Sequence, residues 1–222
     1  MSVCGKLFIA DASGALYWPA RRALLVADLH LEKGSAWAAR GALLPPYDTR
    51  HTLLRLADVI GRTQPRIVVA LGDSFHDIRG PTRIGRGDLD VLDALQAGRE
   101  WIWITGNHDR EIAAHVGGRV CDALDIGGLT LRHEPAPGAV THEIAGHLHP
   151  AARLAYRGTS VRRACFVGNG HRLVLPAFGA FTGGLNILDE AFAPVFDGGG
   201  LAVWMLGRTA LYPVAPRHLS AD

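Results

Sequence analysis

The chain has little cysteine, no long apolar run and no strong charge of either sign, and each shortage closes off a class of protein. Of 222 residues only Cys4, Cys121 and Cys165 are cysteine, scattered and without C-x-x-C spacing. That argues against a disulfide framework or a zinc–thiolate site and leaves buried free thiols. No apolar stretch approaches the roughly 20 residues that span a bilayer. Only Lys6 stands ahead of the first apolar run, with no leader-like charged region, apolar segment and cleavage site. A cytoplasmic protein without membrane contact is expected. The net charge of +2 is too mild to mark a nucleic-acid binder by itself. Acidic residues are missing between Glu143 and Asp189, whereas Arg153, Arg157, Arg162, Arg163 and Arg172 all fall there. That stretch is either a surface for backbone phosphates or a solvated basic face.

What is present is ordinary for a globular chain, with 48% hydrophobic and 20% charged residues. Residues 1–222 suit one compact domain and are too few for two comfortable ones. Ala23 to Ala27 is a continuous apolar run, as in a strand covered on both faces. A helix follows, capped by Asp48 or Thr49, with Leu53, Leu56, Ala57 and Ile60 on its buried side and Gln64-Pro65 at its end. The strand Ile67 to Leu71, a helix from near Asp88 and the strand Trp101 to Ile104 complete a β-α-β-α-β series with parallel strands. Later, Leu129 to Arg132, Glu143 to Gly146, Ala164 to Val167 and Arg172 to Leu175 read as short strands, with a turn at Asn169-Gly170. Gly198-Gly199-Gly200 reads as a further turn. Two stacked sheets flanked by helices are the expected result, a layered α/β sandwich.

Residues able to bind metal recur just after strand ends. Asp28 and His30 follow the first buried run, Asp73 and His76 the second, and Asn107, His108 and Asp109 the third. His133, His147 and His149 follow strands of the second half. The carboxyl ends of parallel strands form a ligand crevice, so these segments converge. A pair of divalent ions about 3.5–4 Å apart can hold a phosphate and stabilise its pentavalent transition state. Such a pair needs a carboxylate between the ions, and Asp73 is the candidate bridge. Imidazoles and a carboxamide oxygen suit manganese, iron, cobalt or zinc better than magnesium or calcium. Glycines before Asp73, Asn107 and His147 let the backbone turn tightly beneath the ions.

The ordered series D-x-H, G-D, G-N-H-[DE], H, G-H-x-H, running from Asp28 to His149, resembles the calcineurin-like metallophosphoesterase superfamily. The resemblance implies a four-layer α-β-β-α sandwich of two mixed sheets. It implies one metal held by Asp28, His30, Asp73 and His149, and the other by Asp73, Asn107, His133 and His147. His108 would stabilise or protonate the leaving group, and Asp109 would orient it. Within the superfamily, the stretches ADLHLEKG, GALLPPYDT, LGDSFHD, TGNHDR, LRHEP, AGHLHP and LPAFGAFTGGLN look like the bacterial ligase-associated DNA damage response endonuclease. That resemblance implies manganese-dependent cleavage of DNA, single-stranded or flapped, in association with a DNA ligase, a helicase and an exonuclease.

Other residues admit two readings. His76, Arg79, Arg83 and Arg110 can reach the substrate phosphates or serve only the loops. Trp37 and Arg40 can meet an incoming strand or pack a helix. His51 reads as surface, and His115 as the end of a short helix where a cation suits the dipole. The strand Leu201 to Leu206 is a candidate homodimer interface. The alternatives are a small-substrate phosphoesterase of the same fold, such as a nucleotide-sugar pyrophosphatase or phosphoprotein phosphatase, and a non-catalytic scaffold.

Overall fold

The computed structural model describes residues 1–42, 44–110, 112, 114–196 and 200–222, with Tyr156 described by its backbone only. A short ribbon of β1 (Ser2–Val3) and β2 (Lys6–Leu7) opens the chain. The first sheet runs in the order β3 (Ile9–Ala10), β4 (Leu16–Trp18), β5 (Ala23–Val26), β6 (Ile67–Leu71), β7 (Glu100–Ile104) and β8 (Arg119–Cys121). The pairs β5–β6, β6–β7 and β7–β8 are parallel, and β3–β4 and β4–β5 are antiparallel, so the sheet is mixed.

Between these strands lie α1 (Lys33–Ala38), α2 (Asp48–Thr63), α3 (Gly80–Arg83) and α4 (Arg86–Gln96). Leu53, Leu56, Val59 and Ile60 of α2 and Leu92 and Leu95 of α4 pack on Leu24, Val26, Val68 and Ala70 of the sheet. Gln64 ends α2 in the left-handed region, φ 44°, ahead of Pro65. The expected caps are corrected: Tyr47 precedes the helix without a side-chain cap. Asp48 instead accepts from the Gly34 N–H at 3.1 Å, and Thr49 donates to Glu32 at 2.9 Å. Both side chains are taken by the loop that leaves the metal-binding segment.

The second sheet comprises β9 (Ala123–Ile126), β10 (Leu129–Arg132), β11 (Glu143–Ala145), β12 (Pro150–Tyr156), β13 (Thr159–Gly168), β14 (Arg172–Val174), β15 (Leu185–Asn186), β16 (Ala202–Leu206) and β17 (Leu211–Val214). Its main path is β15-β12-β13-β14-β11-β10-β9, with β16 between β13 and β17. It too is mixed, β10–β11 and β11–β14 being parallel and β12–β13 antiparallel. Leu25, Val69, Leu71, Ile102 and Ile104 of the first sheet meet Leu129, Leu131, Ile144, Phe166 and Leu173 of the second, forming the central core.

The outer face of the second sheet is covered by Ile187, Phe192, Val195 and Phe196. Among the described residues there, the helical element is a 3-10 turn, Glu190–Phe192. The fourth layer is therefore a thin apolar strap, short enough that bulky side chains alone fill it.

Three expectations change. Arg172 does not join a basic surface: it is buried and paired with buried Glu143 at 2.7 Å, and it donates to the carbonyls of Val195 and Ala136. Arg153 and Arg162 lie opposite each other on β12 and β13, and Arg162 pairs with Asp222 at 2.9 Å. The strand at Leu201 to Leu206 is no free interface either. It is hydrogen-bonded on both sides, Val203 and Met205 facing the strap and Trp204 and Leu206 the central core. The turn expected at Gly198 and Gly199 lies outside the described residues. Among the described residues no helix is long and apolar enough to cross a membrane.

Candidate metal centre

The ends of β5 and β6 are laced together into a floor by backbone hydrogen bonds, and the loop after β7 joins it through the Asp73 and Asp109 carboxylates. Asp28, His30 and Leu31 donate to the carbonyls of Gly72, Asp73 and Ser74 at 3.2, 2.9 and 2.8 Å. Asp28, His30, Asp73, His147 and His149 all have positive φ, between 42° and 69°. Non-glycine residues reach that region at a cost of order 1–3 kcal/mol each, and such strain concentrates at functional sites. Gly72, with φ 75°, makes its tight turn only because it lacks a side chain, for a Cβ there would overlap the His133 ring. Gly106 has no such turn; its need is space, since a Cβ would collide with the Asp73 carboxylate.

Two groups of donor atoms gather on this floor. Asp28, His30 and His149 form one, and Asp73, His133 and His147 the other, with the donor atoms of each group within 4.8 Å of one another. In the second group His133 Nδ1 donates to the Leu71 carbonyl at 3.0 Å, so its Nε2 keeps the lone pair. That lone pair faces the Asn107 carboxamide oxygen at 2.9 Å, His147 Nδ1 at 3.1 Å and Asp73 Oδ2 at 3.5 Å. The acceptor oxygens of Asn107 and Asp73 turned toward that lone pair at these distances fit a cation between them. In the first group His149 Nε2 stands 3.3 Å from both His30 Nε2 and Asp28 Oδ1, and the buried Nδ1 of His30 has no hydrogen-bond partner.

The electrostatics agree. Asp28 and Asp73 are almost fully buried, and the ion pairs they make among the described residues are with imidazoles alone. Buried carboxylates need a compensating positive charge. Burial, with the neighbouring His149, His108 and His76, pushes His30 down to about 2, keeping it a neutral donor. Burial and His133 likewise lower His147. His149 is also desolvated, but its hydrogen bond to Asp28 and the charges of Asp28 and Asp73 outweigh that and raise it. Two divalent cations therefore fit the residues present. Asp73 groups with His133 and His147, and its charge also reaches His149.

Around the donors, the structure reassigns one role. Asp109 does not orient His108: it is fully buried, with Oδ2 accepting from the N–H groups of Ser74 (2.6 Å) and Phe75 (3.0 Å) and Oδ1 from Gly106 (3.0 Å). It staples the β7 loop to the β6 loop. Burial pushes its carboxyl up to about 7, with Asp73 adding to the rise and the three N–H donors opposing it. His108 is oriented instead by the backbone of His76, whose carbonyl accepts from His108 Nδ1 at 3.0 Å. The His76 ring stacks against the His108 ring at 5.7 Å and meets the His30 ring edge-on at 5.5 Å.

The residue pattern of the calcineurin-like phosphoesterases matches residues 21–154, more than half of the chain and all of its metal motifs. The chain belongs to that family. A solved structure, the nuclease MPE of Pseudomonas putida, is 29% identical, covers 96% of this chain and 98% of its own, and superposes with a TM-score of 0.72. The protein AQ665 of Aquifex aeolicus, whose function is unknown, is 17% identical over 57% of this chain and 78% of its own, with a TM-score of 0.39. No curated protein sequence matches the chain significantly. As a calcineurin-like phosphoesterase it is a metal-dependent hydrolase of phosphoesters.

Of the expected substrate contacts, Arg79 and Arg110 are exposed, Arg110 bordering the hollows next to Asn107. Arg83 is withdrawn from that role, because Asp77 (2.8 Å) and Ser35 (3.0 Å) hold it. Trp37, on α1, is half-exposed and so not spent on packing. His51 is exposed on α2 as expected, whereas His115 bonds the Pro81 carbonyl at 2.8 Å.

Two supporting residues escaped the sequence reading. Buried Glu32, φ 64°, accepts from Ser35 at 2.6 Å and Thr49 at 2.9 Å, bracing the loop after His30. Lys33 donates to the Phe181 carbonyl at 2.9 Å, tying the Gly179–Gly184 segment to the same loop. Both lie inside the ADLHLEKG stretch, which was the available signal.

Proposed function

We propose that this phosphoesterase is a dinuclear, manganese-using phosphodiesterase that cuts DNA, as an endonuclease on single strands or flaps in DNA repair. The observation that carries this reading is the likeness of nearly the whole chain, 96% of it, to a nuclease that has the same family core. Asp28, His30 and His149 would hold one ion and Asp73, Asn107, His133 and His147 the other, with Asp73 shared. When bound, the ions supply Lewis-acid stabilisation of the phosphate and an activated water.

The chain's own residues do the rest. With Nδ1 of His108 committed to the His76 carbonyl, the atom left to face the substrate is Nε2. From there a proton passes to the departing sugar oxygen. Arg110, exposed beside Asn107, and exposed Arg79 of the next loop attract the backbone phosphates on either side. A DNA ligase, a helicase and an exonuclease are the proposed functional partners, since a cut end calls for trimming, unwinding and sealing.

The test is purified protein with manganese on single-stranded DNA, bis(p-nitrophenyl) phosphate and p-nitrophenyl phosphate. Cleavage of DNA and of the diester is expected. Intact DNA beside vigorous monoester hydrolysis would make the protein a small-substrate phosphatase instead.

A further inference from the structure

Two hollows open beside the metal centre and share two bordering residues. One, of about 360 Å³, is bordered by the metal-site residues Asn107 and His133 together with Arg110, Arg132 and Glu134. The other, of about 340 Å³, is bordered by Asn107, His76, His108, Arg110, Arg40 and Ile78. Asn107 and Arg110 belong to both, so the hollows lie to either side of one metal-binding residue and one cation. Each is at the small end of the range for ligand pockets, roughly 300–1,000 Å³.

We infer that these hollows are two nucleotide subsites, one on each side of the scissile phosphate, with Arg132 holding the far phosphate of one and Ile78 and Arg40 receiving the leaving nucleotide in the other. The inference rests on the proposed DNA cleavage and says which residues set its substrate.

Arg132 is available for this role because the acidic partner it has among the described residues is shared with a second arginine. It lies 3.6 Å from Glu143, but buried Arg172 pairs with that carboxylate at 2.7 Å. One carboxylate cannot balance two guanidiniums, so Glu143 does not neutralise Arg132. Asp122, which accepts from the Thr105 hydroxyl at 2.9 Å, and Glu134 keep their charge on the same hollow, so Arg132 acts there as a local guanidinium donor and not through a net positive field. Exposed Glu134 remains as an acceptor, suited to the amino groups and hydroxyls of a nucleoside.

The other hollow differs in kind. Ile78 is 59% exposed beside the stacked His76 and His108 rings, an apolar surface for the face of a base. The general acid lies on this side, so the departing sugar oxygen does too. A monoester would fill one hollow and leave the other empty; a diester within a strand fills both.

Arg132→Gln and Ile78→Asp test the inference in the full chain. Fluorescence anisotropy of labelled single-stranded DNA without added metal reads binding, and manganese-supported cleavage reads KM and kcat. Each substitution is expected to weaken binding and raise the DNA KM about tenfold with kcat within about twofold. The double variant should lose about a hundredfold, because the two sites are separate. The ratio of DNA cleavage to bis(p-nitrophenyl) phosphate hydrolysis should fall in parallel. Wild-type cleavage of DNA with unchanged KM and anisotropy in both variants overturns the subsites and leaves the nuclease reading intact. Hydrolysis of the small diester with no cleavage of DNA by the wild type removes both.

Discussion

The backbone N–H of His108 donates to Oδ1 of Asp73 at 2.9 Å, which leaves Oδ2 of the same carboxylate turned toward His133. One hydrogen bond thus holds His108 next to Asp73 and aims that carboxylate at the donor cluster. A second crosslink works the same way, the His147 N–H meeting Asp28 at 3.0 Å across the two groups.

Asp73→Ala removes the shared ligand and should abolish turnover with loss of bound manganese. Metal analysis after gel filtration checks it beside the cleavage assay. Full activity, or unchanged metal content, would refute the role of Asp73.

His108→Ala should do the opposite. Its ring is no member of either donor group, so both ions stay while kcat drops by roughly 10² or more. Metal loss in step with activity would make His108 a ligand and not an acid.

Asp109→Ala leaves the buried N–H groups of Ser74, Phe75 and Gly106 without their acceptor. Each unsatisfied buried donor costs about 1–3 kcal/mol. A clear fall in the urea midpoint of metal-free protein is expected, smaller for Asp109→Asn, which keeps one oxygen. Unchanged stability with slowed chemistry would restore Asp109 to the orienting role.

The sequence reading went furthest where chemistry repeats by type. The convergence of Asp28, His30 and His149, and of Asp73, His133 and His147, was legible because so many donors after strand ends have few uses other than metal. The parallel core of the first sheet was legible from unbroken apolar runs such as Ile67–Leu71, whose bounds agree with the observed strand. Asp109 was misread because a carboxylate beside a histidine looks like its partner; nothing local tells that two amides from another loop, Ser74 and Phe75, hold it together with Gly106 of its own. The basic stretch misled for the same reason, since Arg172 meets Glu143 only through the pairing of β11 with β14. β13 was read short, from Ala164 to Val167, because its outer half, exposed from Thr159 to Arg163, has no apolar alternation, and its hairpin partner β12 was not read as a strand.

Manganese should also stabilise the fold, because the buried donors are repelled or unpaired without it. An ion at a hundred times its Kd adds about 2.7 kcal/mol per site. For a chain of this length that is a rise in Tm of roughly 5–10 °C per site. Differential scanning fluorimetry with manganese and then EDTA reads it; no shift would mean that no ion binds.

The most direct measurement is anomalous diffraction at the manganese edge from crystals grown with excess manganese. Two peaks are predicted, one against Asp28, His30 and His149 and the other against Asn107, His133 and His147, with Asp73 touching both. A single peak that ignores Asp73, or none among these loops, would contradict the account.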